Sequence, residues 1–294
     1  MDLTFSRYTK TRIAPTPSGF LHLGNVLSFS ITAYLAKKTG AKILLRIDDL
    51  DQARVNNAYL ADIFETLHFI NIPWQEGPTN LQEFKVQYSQ THQLGMYNQA
   101  LTQLCEAGFV YACACSRSEL NKPSFKCPCK SKNIPLESKE VTWRLYTQDA
   151  ASIFLTDISG NYQSFTLPAE MTNFIVRKKD GFPAYQLTSV VDDLFYGVDL
   201  IVRGEDLLPS TLAQQVLAKA LGKSTFSEIA FYHHPLLKSA EGEKLSKSAG
   251  ATSVQYLRQQ GFKSEDIYQS IASMAGIKTK VANYEQLAEK ITAL

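Results

Sequence analysis

Residues Arg12 to Asn25 read RIAPTPSGFLHLGN, and few local structures accommodate that order. Thr11, Ile13 and Ala14 suit the end of a strand. Pro15 and Pro17 lack the N–H that a ladder needs, so the strand must stop there. Gly19 and Gly24 permit close backbone approach. From Gly24 onward Val26, Leu27, Phe29, Ile31, Tyr34 and Leu35 recur at helical spacing, and Lys37, Lys38 and Gly40 form a stop signal. Strand, tight loop and helix N-terminus in that order present free N–H groups and the positive end of a helix dipole, a natural phosphate site. His22 falls in the loop. Alone, the stretch fits equally well a βα unit of any parallel sheet with a solvated histidine.

A second stretch narrows the choice. Residues 243–248 read EKLSKS, which puts the ammonium groups of Lys244 and Lys247 and two hydroxyls on one loop. That set suits a polyphosphate. The net charge is +2, so a nucleic-acid surface would have to be a local patch. With 294 residues, 45% of them hydrophobic and 20% charged, the chain suits about two globular domains. No apolar run reaches the roughly 18 residues of a membrane span, and MDLTFSRYTK has no signal-peptide core. A cytoplasmic location is expected.

Along the chain, residues 41–47 (AKILLRI) read as a buried parallel strand followed by Asp48, Asp49 and Asp51. Ligands bind at the C-terminal edge of such sheets, and Asp48 suits a ligand ammonium, whereas Asp51 suits a turn or helix cap. Residues 58–70 predict one helix and 84–107 a single long one ending at Gly108, with Trp74 and Cys105 as packing residues. Cys113, Cys115, Cys127 and Cys129 form two Cys-x-Cys pairs separated by eleven residues. In a reducing compartment such a cluster favours zinc over disulfides, although the spacing within each pair is tighter than usual. Around it Arg117, Lys122, Lys126, Lys130, Lys132, Lys139 and Arg144 outnumber three acids, which suits a phosphate backbone or a solvated face. Residues 141–176 read as β-rich, and Gly181 to Leu187 leads into SVVDDLFYG. Leu200 to Val202 predicts a strand with Arg203 at its end, placed for a carboxylate or for an ion pair with Glu205 or Asp206. Ser210-Thr211 is expected to cap the next helix, 228–232 to form a last strand, and 253–260, 264–275 and 283–292 to be helical.

HLGN at 22–25 and KLSKS at 244–248 resemble the HIGH and KMSKS motifs of class I aminoacyl-tRNA synthetases, in that family's order. RIAPTPSGFLHLGN with RIDDLD at 46–51 is similar to the glutamyl and glutaminyl branch. VRGEDLLPST at 202–211 and YACAC at 111–115 resemble its short glutamyl-Q tRNA(Asp) synthetase family. The resemblance implies an α/β fold: a Rossmann-like class I catalytic domain with an inserted zinc-containing subdomain and a C-terminal helical segment. Its expected parts are 1–108 and 173–238 for the two halves of the catalytic domain, 109–172 for the acceptor-binding insertion, and 239–294 for the KMSKS loop and helices. With 46 residues after Ser248, a large anticodon-binding domain like that of a full glutamyl-tRNA synthetase is not expected.

By the same resemblance Arg12, Ala14 and Thr16 would line the glutamate and adenylate site. Asp48 would receive the amino group where the family usually has Glu, and Tyr185 and Arg203 would hold the amino acid, Arg203 on its side-chain carboxylate. His22, Gly24, Asn25 and Lys247 would bind ATP, with His22, Lys244 and Lys247 stabilising its phosphates as charge develops. Cys113, Cys115, Cys127 and Cys129 would hold Zn²⁺; Phe125 stands where the family often has a tyrosine ligand. Asn25 replaces the second histidine of HIGH, Asp48 is shorter than Glu by a methylene, and Ser189 stands where full-length glutamyl enzymes often have Asn. The implied reaction joins L-glutamate and ATP with Mg²⁺, then passes the glutamyl group to the queuosine base in the anticodon of tRNA(Asp). A monomer with no membrane partner is expected. A carboxylate-activating ligase with another acceptor, or a non-catalytic tRNA or amino-acid binder, stays open as an alternative.

Overall fold

The computed structural model describes residues 7–120, 122, 125–147, 152–237 and 253–293. In chain order the strands are β1 (Lys10–Ile13), β2 (Lys42–Leu45), β3 (Val110–Cys113), β4 (Thr142–Leu145), β5 (Ile153–Asp157), β6 (Tyr162–Phe165), β7 (Ile175–Arg177), β8 (Leu200–Gly204) and β9 (Ala230–His234). The main helices are α1 (Leu23–Thr39), α2 (Asn57–Phe69), α3 (Leu94–Glu106), α4 (Tyr185–Phe195), α5 (Leu208–Ala220), α6 (Val254–Gln259), α7 (Ser264–Met274) and α8 (Tyr284–Thr292).

Six strands form one sheet in the order β2-β1-β8-β9-β5-β6. Its first five strands run parallel, and β6 closes an antiparallel hairpin on β5. Strand alternation divides the core. Ile13, Leu45, Leu200 and Val202 pack with Val26, Ile31 and Leu35 of α1 and with α7 and α8. Leu44, Ile201 and Phe231 face the other way, against Leu212 and Leu217 of α5 and Leu101 of α3. Helices on both faces explain why these strands read as unbroken apolar runs. Helix α6 docks on α2 through a partly buried pair, Arg258 Nη2 to Asp62 Oδ1 at 2.5 Å.

Strands β3, β4 and β7 form a separate antiparallel sheet. This corrects the expected insertion at 109–172 at its far end. The hairpin β5–β6 pairs with the main sheet through β9, and β7, beyond residue 172, belongs to the small sheet. The β-rich stretch carried no signal of which sheet each strand would join.

Two helix expectations also fail locally. The predicted 84–107 helix is broken at Ser89, whose φ −58° and ψ 137° are not helical. The break exists because Ser89 Oγ and the Gln90 N–H both donate to the carboxylate of Asp49, at 2.6 and 2.8 Å. Ser210 and Thr211 do not cap α5; the helix starts at Leu208 with Pro209 in its first turn, so both hydroxyls lie inside it and are buried. Asp51 makes no side-chain cap and pairs instead with Arg54.

Candidate functional site

The cavity at the C-terminal ends of β1, β2, β8 and β9 has a volume of about 410 Å³. Arg12, Ala14, Thr16, His22, Gly24, Asn25, Asp48, Tyr185 and Arg203 all line it, so nine residues from four separate stretches of sequence meet in one place. Ser189 is buried on α4 and is absent from the wall. Lys244 and Lys247 lie outside the described residues. The flanking residues reach the site: Leu237 lines the cavity, Ser253 bridges to His22, and the Val254 N–H donates to the Leu21 carbonyl at 2.8 Å.

The phosphate corner is built by local geometry. His22 is the N-cap of α1, and its backbone N–H donates to Asn25 Oδ1 at 3.0 Å. A Cβ on Gly24 would come within 2.9 Å of the His22 ring, so glycine lets the imidazole lie across the helix start. Asn25, which replaces a histidine of the resembled motif, is therefore occupied in holding the loop.

The charged residues of the cavity wall belong to a buried network whose other members, Asp192 and Asp193, sequence reading missed. Arg46 donates to both carboxylate oxygens of Asp48, at 2.7 and 3.1 Å, and its Nη1 donates to Asp193 Oδ1 at 2.7 Å. Arg12 Nε donates to the same Asp193 oxygen at 3.1 Å. Asp192 accepts from Tyr97 Oη at 2.6 Å and Gln90 Nε2 at 2.8 Å. Burial pushes its carboxyl up to about 6, although Arg46 and Tyr97 hold it down. Asp193 is fully buried, and burial works against its charge, yet Arg46, Arg12 and Arg203 keep its carboxyl below the ordinary range. The pair at 192–193 stood inside an apolar helical pattern, and two adjacent acids in such a place were the signal available.

Arg203 is the outlier of the network. Its Nη1 donates to Gln214 Oε1 at 2.9 Å and Thr211 Oγ1 at 3.2 Å. Its Nε and Nη2 are buried with no hydrogen-bond partner, and among the described residues no salt bridge reaches it. The alternative of an ion pair with Glu205 or Asp206 is thus not what the structure contains. Burial pulls the guanidinium down to about 10, with Arg12 and Arg46 adding to the effect and Tyr185 and Asp193 opposing it. At neutral pH it remains a cation with donors aimed at nothing, the arrangement a planar carboxylate completes. Tyr185, 43% exposed at the start of α4, stands on the same wall.

A second cavity of about 360 Å³ shares Thr16, Asp48 and Tyr185 with the first and continues past Asp51, Arg54 and Lys178. The two cavities thus adjoin at these three residues.

In the small sheet the four sulfurs of Cys113, Cys115, Cys127 and Cys129 lie within 4.8 Å of one another, with closest pairs at 3.4 to 3.6 Å. Tetrahedral zinc at a Zn–S distance of about 2.3 Å needs sulfurs about 3.8 Å apart. The donor set and spacing therefore fit. Burial raises the Cys129 thiol, but the Ala114 backbone N–H and neighbouring sulfurs overcome this and bring it to about 7. Arg117, Lys122, Lys126, Lys130, Lys132 and Lys139 are exposed around the cluster. Arg144 is turned inward, donating to the Asn173 carbonyl at 2.7 Å, and serves the fold.

The family model described as "tRNA synthetases class I (E and Q), catalytic domain" matches residues 9–140 and 129–291. A glutamyl-Q tRNA(Asp) synthetase of Symbiobacterium thermophilum is 32% identical over 284 residues, covering 90% of this chain and 86% of that protein. A glutamate–tRNA ligase of Dehalococcoides mccartyi is 30% identical over 95% of this chain but only 59% of its own length. The chain thus spans about three fifths of the curated glutamate–tRNA ligases it matches. The crystal structure of glutamate-tRNA synthetase from Elizabethkingia anophelis shares the fold, with a TM-score of 0.75 at 23% identity over 96% of this chain and 65% of that one. Among the described residues no helix is long and apolar enough to cross a membrane.

Proposed function

The chain belongs to the class I tRNA synthetases of the E and Q type, and on that premise we propose that it activates L-glutamate with ATP and transfers it to queuosine in the anticodon of tRNA(Asp). The observation that carries the amino-acid half is Arg203, a buried guanidinium with two donors left for a carboxylate. The glutamate side chain docks there and against Tyr185, its ammonium meets Asp48, and its α-carboxylate is left facing the nucleotide. An α-carboxylate oxygen attacks the α-phosphorus of ATP, and pyrophosphate leaves. The α1 N-terminus, His22 and Lys247 offset the charge that develops, and Mg²⁺ bound with the nucleotide would supply further neutralisation. A hydroxyl of the queuosine cyclopentene-diol, entering through the second cavity, then attacks the activated carbonyl and releases AMP. Similarity to the Symbiobacterium protein, which this chain covers over most of its length, supports queuosine over a 3′-terminal ribose.

Transfer of labelled glutamate to total tRNA from cells with and without queuosine tests this reading. Label confined to queuosine-containing tRNA, and recovered in the anticodon fragment after nuclease digestion, is the expected result. Label on the 3′ end of tRNA(Glu), or activation with no RNA acceptor, would overturn the acceptor assignment.

The four cysteines would hold one structural Zn²⁺, which would fix the small sheet and the basic surface it presents to RNA. Protein purified without added metal should contain about one zinc per chain. Cys113→Ser combined with Cys129→Ser should reduce that to near zero and open residues 109–147 to limited proteolysis. A metal-free native chain would refute the site.

A further inference from the structure

Arg203 is held from one side. Its Nη1 donates to Gln214 Oε1 and Thr211 Oγ1, both on α5. A guanidinium only donates, so the amide atom that Gln214 turns toward it is the oxygen. Arg203 lines the main cavity, whereas Gln214 and Thr211 do not. Nη1 is therefore tied back to the helix. The two nitrogens left without a partner, Nε and Nη2, belong to one edge of the group. On that edge the N–H bonds run parallel and match the two oxygens of a carboxylate.

The neighbours of Arg203 share a second property, which is that they carry no charge. Gln214 and Thr211 are neutral, and so is the ring of Phe231. Behind Thr211 stands His233, with Nε2 at 2.8 Å from Oγ1. Burial, reinforced by Arg203 and His234, lowers that histidine to about 4, so it adds no charge either. Asp193 attracts Arg203, but one of its oxygens is already shared by Arg12 and Arg46. Gln214 itself is 0% exposed, and its Nε2 has no hydrogen-bond partner among the described residues. An acid of the same length would carry no unmet amide donor and would give the buried cation a counter-charge. Glutamine is thus the less stabilising of two residues of one size.

We infer that Gln214 is a positioning residue that sets which amino acid the site accepts. It fixes Nη1 with a neutral acceptor, so the Nε–Nη2 edge is oriented and still carries its full charge when a side-chain carboxylate arrives. An acid at 214 would orient Arg203 equally well and cancel the charge that the ligand needs. The inference rests on Arg203 receiving the glutamate carboxylate.

Pyrophosphate exchange by the full chain, driven by glutamate or by glutamine, tests it on Gln214→Glu and Gln214→Met. In Gln214→Glu the KM for glutamate should rise about a hundredfold or more while kcat changes by less than about fivefold. The preference for glutamate over glutamine should fall with it, and the melting temperature should equal or exceed that of the wild type. Gln214→Met removes the acceptor and adds no charge. It should raise the KM for glutamate only about tenfold and keep the preference. An unchanged glutamate KM in Gln214→Glu would overturn the inference. So would an equal loss of preference in both variants, since shape rather than charge would then be the cause. A Gln214→Glu chain that melts below the wild type, or does not fold, would also overturn it, because Arg203 would then have no uncompensated charge to share. A wild type with no preference for glutamate over glutamine would instead remove the carboxylate reading of Arg203 on which the inference stands.

Discussion

Replacing Arg203 by Met should lower glutamate-dependent pyrophosphate exchange by about a thousandfold or more while leaving the free protein as stable as before, or more so. The two effects share one cause. Arg203 is buried, and among the described residues its Nε and Nη2 find no acceptor. Its Nη1 contacts, Thr211 and Gln214, are uncharged, and the aromatic face of Phe231 lies 5.7 Å from the guanidinium centre. Burying a cation with unmet donors costs more than such contacts return, so a thioether of similar length relieves the fold. The bound state is the opposite. A glutamate carboxylate with no guanidinium would be left buried beside Met, and a site built around that ion pair rejects a ligand that cannot form it. The check is a pair of measurements on one variant: exchange kinetics and urea unfolding. Exchange within tenfold of wild type would remove Arg203 from carboxylate binding. A stability loss above about 2 kcal/mol would show it to be a structural cation instead.

Sequence alone was enough for the surface of this site and not for what lies beneath it. RIAPTPSGFLHLGN could hardly be anything but a strand, a tight loop and a helix start, because Pro15 and Pro17 end a ladder and the apolar spacing after Gly24 is helical. The apolar runs of β2 and β8 revealed a sheet covered on both faces, and hence which edge binds ligands. The four cysteines announced themselves by clustering, and their sulfurs converge. The buried network left no comparable mark. Asp49 spends its carboxylate on Ser89 and Gln90, forty residues away, and so breaks a helix that periodicity draws as continuous. Asp193 meets Arg12 from the far end of the chain. Long-range polar pairs have no period, so propensity and spacing do not see them.

That hidden layer sets the second large effect. Asp193→Ala should destabilise the fold by about 3–5 kcal/mol, and Asp193→Asn by about half as much. One oxygen of Asp193 accepts from both Arg12 and Arg46. Arg46 in turn forks Asp48, so a single carboxylate fixes two arginines of the cavity wall and, through one of them, the aspartate beside them. Three arginines (12, 46 and 203) face three aspartates (48, 192 and 193) in this layer. Alanine removes a charge and an acceptor together and leaves two buried guanidinium groups short of a partner. Asparagine keeps an oxygen for both N–H groups and loses only the charge. The same reasoning fixes the sign of a coupling. Arg203→Met added to Asp193→Asn should gain about 1 kcal/mol more than Arg203→Met gains alone, because the cation it removes has by then lost its anionic neighbour. Urea unfolding of the two singles and the double measures it. Strict additivity of the two changes, or a loss below about 1 kcal/mol for the alanine variant, would mean that water or rearrangement already shields these charges and that the network does not hold the site in place.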